Sequence, residues 1–245
     1  MQRTEHAASL RSLNASRLYN RRVTRSFAAE TSPDLIDAPR LLVIPLGSTE
    51  QHGPHLPVGT DTVIAEAWAA AFAATIDEPS LVAPVLPFGA AGEHQHFAGT
   101  LSIGTEALVG ILVELARSAS DRFDRLVVLS GHGGNHDALR TAADQLRAEG
   151  HTIDVVMPVL HGGDAHAGRS ETSLMLHITP DLVHLDRAEP GNTGPMSELL
   201  PRIRKGGMAA VSHNGVLGDP AGASAVEGER LLSALVDHAR QITGL

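Results

Sequence analysis

The stretch RLVVLSGHGGN, residues 125–135, decides the reading of this chain. Arg125–Ser130 is an apolar run of strand length rich in branched side chains, the pattern of a strand buried on both faces. Gly131, Gly133 and Gly134 then allow a tight turn around His132, and the segment Asn135–Glu149 behind them reads as a helix. A buried strand, a short glycine-rich loop and a helix make half of a βαβ unit.

The same alternation recurs on either side. Arg40–Leu46 (RLLVIPL) reads as a second buried strand and Asp61–Thr75, rich in alanine, as the helix after it. Leu81–Leu86 is a weaker strand because Pro84 interrupts it. Thr105–Ser120 carries Leu108, Ile111, Leu112 and Leu115 at helical spacing, and Ile153–Val159 supplies a further strand. The expected fold is α/β, a three-layer α/β/α arrangement around a mainly parallel sheet. In such a sheet the ligand site lies beyond the carboxyl ends of the strands, which is where the loops 47–61 and 130–136 fall.

With 245 residues the chain is long enough for one sizeable core. We read residues 39–245 as a single catalytic domain and residues 1–38 as a loosely ordered N-terminal arm. Residues 1–26 hold six arginines against the single acid Glu5 and show no steady apolar period. Their composition is like that of a transit peptide, but the apolar stretch of a secretory signal is missing. No apolar run approaches the roughly 18 residues that span a bilayer, so a cytoplasmic protein without a membrane partner is expected. A net charge of −9 argues against a nucleic-acid surface, which needs clustered cations.

Cysteine is absent, which excludes disulfides, thiolate metal sites and a cysteine nucleophile. Any metal must sit on His, Asp and Glu, a ligand set suited to zinc, manganese or iron(II). Of the 14 histidines, His52, His55, His94, His96, His132, His136, His161 and His166 fall in Gly/Pro-rich stretches between apolar runs. Solvated surface histidines are the plain alternative for any one of them, but their clustering favours ligands and bases.

Three segments carry the chemistry. In Gly47–Asp61 (GSTEQHGPHLPVGTD), Glu50 and His52 follow a strand two residues apart. An extended chain points both to one side, about 6.6 Å apart along the backbone, within reach of two metals about 3.5–4 Å apart. The turn after them delivers Asp61 at a helix start, where it can bridge both ions or act as an ordinary helix cap. In Ser130–Asn135 (SGHGGN), His132 is a candidate third ligand. A phosphate-cradling loop is the rival, but no GxGxxG and no Gly-Lys-Ser/Thr follows. In His161–Ser173 (HGGDAHAGRSETS), His166 and Glu171 converge only if the chain bends at Ala167–Gly168, and Glu171 has a helix-capping alternative.

In their order and spacing, EQHGPHLPxGTD, SGHGGN and HAGxxETS resemble the creatininase family of metal-dependent amidohydrolases, over roughly residues 40–240. FGAAGEHQHFAGTLSIG at 88–104 and GVLGDPAGASAVEGE at 215–229 add to the likeness. The resemblance implies two divalent ions per chain, zinc and iron(II) ahead of manganese. It implies Glu50, His52, Asp61 and His132 as metal ligands with Asp61 bridging, His166 in proton transfer, and Glu171 as a further ligand or an acid near the metals. Glu50 and His132 are expected on one ion, His52 and Glu171 on the other. A ring-like or dihedral homo-oligomer is also implied.

Creatininases carry a glutamate ligand two residues after the second-motif histidine, where this chain has Gly134, and a tryptophan where it has Gly162. Creatinine is therefore not the expected substrate. The runs GEHQHFAGTLSIGTEAL, EPGNTGPMSELLP and VSHNGVLGDP are similar to the mycofactocin-system peptidases within the family. That likeness implies a small modified precursor peptide as substrate, with release of its C-terminal Val-Tyr-derived dipeptide. The alternatives are creatinine or N-formyl amide hydrolysis on the same site, or a non-catalytic metal-binding protein, which would close the ligand shell that catalysis leaves open.

Overall fold

The computed structural model describes residues 24–159 and 162–245. Five strands form one sheet, β1 (Thr24–Ser26), β2 (Leu41–Leu46), β3 (Ser80–Val82), β4 (Arg125–Ser130) and β5 (Ile153–Val156), in the order β1-β3-β2-β4-β5. Every pairing among them is parallel. Among the described residues six α-helices accompany them: α1 (Thr60–Thr75), α2 (Thr105–Ala119), α3 (His136–Ala148), α4 (Arg169–Ile178), α5 (Met196–Gly206) and α6 (Ala225–Thr243).

Leu41–Leu46 of β2 and Leu126–Leu129 of β4 are apolar without alternation because helices cover both faces. Successive side chains of a strand point to opposite faces, and the two cores divide accordingly. Leu41, Val43, Val127, Leu129 and Val156 pack against Trp68 and Phe72 of α1, Leu174 and Met175 of α4, and Leu235 of α6. Leu42, Ile44, Leu46, Leu126 and Val128 face the other way, onto Leu108 and Leu112 of α2 and Leu139 and Leu146 of α3. This is the three-layer α/β/α architecture expected from the sequence.

Two boundaries differ from that expectation. Residues 24–38, read as part of a loose arm, include the edge strand β1, which pairs with β3 through backbone groups and so needs no apolar period. Phe27 packs on Phe123 with ring centroids 6.0 Å apart, and Leu35 and Ala38 join the second core. The rest of the arm, residues 1–23, lies outside the described residues, as does His161. Strand β3 stops at Val82 and not at Leu86, because Pro84 has no N–H to donate. Beyond it Leu86 meets β2 again, its carbonyl accepting from Gly47 N at 2.9 Å.

The chain leaves β2 toward β3 on one side, while β4 and β5 lie on the other. The crevice between β2 and β4 is thus the topological switch point of the sheet. The loops that follow β2 and β4 both open into it. A small third cluster of Leu199, Ile203, Met208, Val211 and Leu217 seats α5.

Candidate metal centre

Glu50, His52, Asp61, His132, His166 and Glu171 converge at that switch point. The first three are no more than 1% exposed, although charged side chains are almost never fully buried unless paired. Asp61 lies in the first turn of α1, but the cap position is Gly59 and no side chain caps the helix. The capping alternative for Asp61 is thereby excluded. Its Oδ1 is 3.1 Å from His52 Nε2 and its Oδ2 is 3.4 Å from His132 Nδ1, so the carboxylate faces two histidines at once.

Glu50 stands beside it. Ser48 donates to Glu50 Oε2 at 2.8 Å, and the same oxygen is 3.1 Å from His132 Nδ1. His52 Nδ1 donates to the Glu50 carbonyl at 3.1 Å, which turns His52 Nε2 inward toward Asp61 and toward Glu171 Oε2 at 3.7 Å. A second hydrogen bond of this kind fixes both the tautomer and the ring orientation of a metal-binding histidine. The His166 Nε2–H donates to the Gln51 carbonyl at 2.9 Å, leaving Nδ1 3.7 Å from Glu50 Oε1.

His166 and Glu171 meet because the chain bends within the expected pair Ala167–Gly168, with alanine and not glycine taking the unusual backbone. Ala167, not Gly168, takes positive φ, 51°. Its N–H donates to Glu171 Oε2 at 2.6 Å, so Glu171 tethers the bend and faces His52 at the same time. Glycine is needed at 168 for space, since a Cβ there would fall 1.8 Å from Asp164 Oδ2. Close approach also explains Gly131, where a Cβ would fall 2.2 Å from the Asp61 carbonyl.

Three neighbours are absent from the ligand and catalytic set expected from the sequence, although His94 is among its eight clustered histidines. His94 Nε2 is 3.2 Å from Glu50 Oε1. Gln51 Nε2 lies 2.9 Å from His94 Nδ1 and 3.0 Å from His166 Nε2. Glu93 Oε1 is 3.6 Å from His132 Nε2. The signal was there in the GEHQH run, but nothing local marks which of its residues turns inward. Of the other loop histidines, His55 is buried against Thr172 Oγ1 at 2.8 Å, and His96 and His136 are exposed.

The donor set fits metal. Glu50, Asp61 and His132 form one group whose ligand atoms lie within 4.8 Å of one another, and His52, His166 and Glu171 form a second. Glu50, His94 and His166 make a third. Glu50 Oε1, Asp61 Oδ2 and His132 Nε2 are buried with no hydrogen-bond partner, and no lysine or arginine pairs with these carboxylates among the described residues. Buried charge of this kind needs compensation.

In the metal-free chain, protons take that part. Burial works to lower His52, but the facing Asp61, Glu171 and Glu50 carboxylates outweigh it and raise it to about 10. His132 is held well above the ordinary histidine value, against burial, by Glu50 and Asp61. Asp61 is held below the carboxylate range by His52 and His132 despite its burial. Burial raises Glu50, and it raises Glu171 to about 7. Burial, then the cations at His132 and His52, push His94 down to about 3, and burial with His52 and His94 holds His166 well below the ordinary histidine value.

A parallel α/β/α sheet with a buried His/carboxylate centre at its switch point is the arrangement of a metal-dependent enzyme, and the creatininase (creatinine amidohydrolase) family model matches residues 28–243. The chain belongs to the creatininase family and is a hydrolase of amide C–N bonds. It is 52% identical over 228 residues to the mycofactocin precursor peptide peptidase of Mycobacterium ulcerans strain Agy99, covering 89% of this chain and 91% of that one. Among solved structures it superposes on a manganese creatininase with a TM-score of 0.72 at 27% identity, over 91% of this chain and 98% of the other. A zinc form of a creatininase variant matches with a TM-score of 0.67 at 28% identity, over 83% and 90%.

Proposed function

We propose that the chain is a two-metal peptidase that cleaves a mycofactocin precursor peptide and releases its modified C-terminal Val-Tyr-derived dipeptide. The observation that carries this reading is the Asp61 carboxylate, which faces His52 through one oxygen and His132 through the other and lines a cavity with His132, His166 and Glu171. Asp61 would hold both ions, with Glu50 and His132 on one and His52 and Glu171 on the other. Zinc and iron(II) suit this donor set, and manganese is the alternative. When bound, two such ions bring the pKa of a water toward neutrality and polarise the scissile carbonyl.

The side chains do the rest. Gln51 and Glu50 hold the His166 ring by its two nitrogens, so a proton carried at Nδ1 is aimed into the centre. His166 would take that proton at Nδ1 from the attacking water and give it to the departing nitrogen as the water oxygen bonds the carbonyl carbon and the C–N bond breaks, yielding a carboxylate and an amine.

The surrounding space favours a peptide over a small ring. A cavity of about 340 Å³ holds Asp61, His132, His166 and Glu171 beneath Met196, Leu200 and Ile203 of α5. Through Glu93, Gly133 and Gly134 it meets a cleft of about 780 Å³, and through Ala165 and Leu217 one of about 670 Å³. The two positions where creatininases carry larger side chains, Gly134 and Gly162, line these clefts. An extended chain can therefore run beneath α5 with residues on both sides of the scissile bond. We further propose a cytoplasmic homo-oligomer, in line with the family resemblance; among the described residues no helix is long and apolar enough to cross a membrane.

The test is to load the protein with zinc or iron(II), add the precursor peptide and follow release of the dipeptide by mass spectrometry. Cleavage should stop with a chelator, and Leu200→Trp, which narrows the passage, should raise KM for the full peptide more than for a short amide. An intact peptide beside rapid hydrolysis of creatinine or a formyl amide would overturn the proposal.

A further inference from the structure

His132 has two working edges, and the centre uses only one. Its Nδ1 points inward, 3.1 Å from Glu50 Oε2 and 3.4 Å from Asp61 Oδ2. Its Nε2 points away, is buried, and has no hydrogen-bond partner among the described residues. The group opposite that nitrogen is the Glu93 carboxylate, 3.6 Å off, from the short turn Gly92–His94. Glu93 belongs to none of the three ligand groups.

The backbone is cleared for this meeting. A Cβ on Gly134 would fall 2.3 Å from His132 Nε2 and 2.4 Å from Glu93 Oε1. With Glu93 in place, position 134 cannot carry a side chain. A buried imidazole N–H left unpaired is costly, whereas a carboxylate that accepts it settles which nitrogen keeps the lone pair and makes that nitrogen a better donor to metal.

We infer that Glu93 is a positioning residue for His132, accepting the Nε2–H so that Nδ1 is presented to the ion held by Glu50 and Asp61. The gap of 3.6 Å is one that catalytic contacts close when the site fills. This inference rests on the reading of His132 as a ligand and extends it outward by one contact.

The experiment measures zinc affinity by chelator competition in wild type, Glu93→Ala and Glu93→Gln, together with the ¹⁵N shifts of His132 in the zinc-loaded protein. Glu93→Ala should weaken binding by about 10–100-fold, the usual cost of losing such a partner. Glu93→Gln, whose carbonyl still accepts the N–H, should recover most of it and keep the proton on Nε2. Glu93→Ser, too short to reach, replaces the alanine variant should that fail to fold. Wild-type affinity and an unchanged His132 tautomer in the alanine variant would overturn the inference. So would a glutamine variant as weak as alanine, because the carboxylate charge and not the hydrogen bond would then matter. If His132→Ala itself keeps full metal content, the ligand reading fails instead, and the two failures are distinguishable.

Discussion

The Asp61 carboxylate lies 3.1 Å from His52 Nε2 although the chain between them makes a full turn through Gly53, Pro54, Pro57 and Gly59. That return brings the first turn of α1 against the loop after β2 and puts an acid between two histidines. Asp61→Ala should therefore disturb both ions at once. We expect metal content to fall from two ions per chain to one or none, and hydrolysis to drop by at least about 10²-fold, since each metal contributes several kcal/mol to the transition state. Elemental analysis that finds two ions and intact activity would remove Asp61 from the bridging role.

His166 separates catalysis from storage. A residue that only moves a proton can be removed with the ions left in place, so His166→Ala should keep near-normal metal content and lose about 10²–10⁴-fold in kcat on an amide. An activated ester, whose leaving group needs no proton, should suffer much less. His166 also belongs to two of the ligand groups, so metal loss in this variant would reassign it as a ligand.

Metal uptake should release protons. His52, raised to about 10, is protonated in the metal-free chain at pH 8, and His132 is raised as well; both must be neutral to bind an ion. Calorimetry in buffers of different ionisation enthalpy should find net proton release on loading at pH 8. Because the raised values make protons the competitor, apparent affinity should climb with pH up to the region of 10 and weaken as pH falls. A pH-independent affinity between 6 and 9 would contradict this.

Gly131→Ala tests the packing beneath the centre. The added methyl would lie 2.2 Å from the backbone carbonyl of Asp61, which has no flexible end to give way. Overpacking of this kind costs about 1–3 kcal/mol, so the melting temperature should drop and metal binding weaken with it. Gly133→Ala, where nothing lies within 4 Å of the added atom, is the control and should leave stability nearly unchanged.

The sequence by itself determined the sheet and the order of its parts. Buried strands such as Leu41–Leu46 and Arg125–Ser130 announce themselves by composition, and helices such as α2 by their period, because those signals are local. It also named the chemistry, since Glu50, His52, His132 and His166 stand in loops where no regular element requires them, and Asp61 and Glu171 stand in the first turns of the helices that follow such loops.

Tertiary structure alone decided what each of those residues faces. The edge strand β1 was hidden because backbone pairing needs no apolar pattern, and the tether that holds the bend at Ala167 was hidden because Glu171 reaches the Ala167 N–H only when α4 is in place. Glu93, His94 and Gln51 lie 39, 38 and 81 positions from His132 in the chain, and only the meeting of the segments after β2, β3 and β4 brings them to one centre. Contacts between segments so far apart depend on how the whole sheet is wound, and no short window of sequence contains that information.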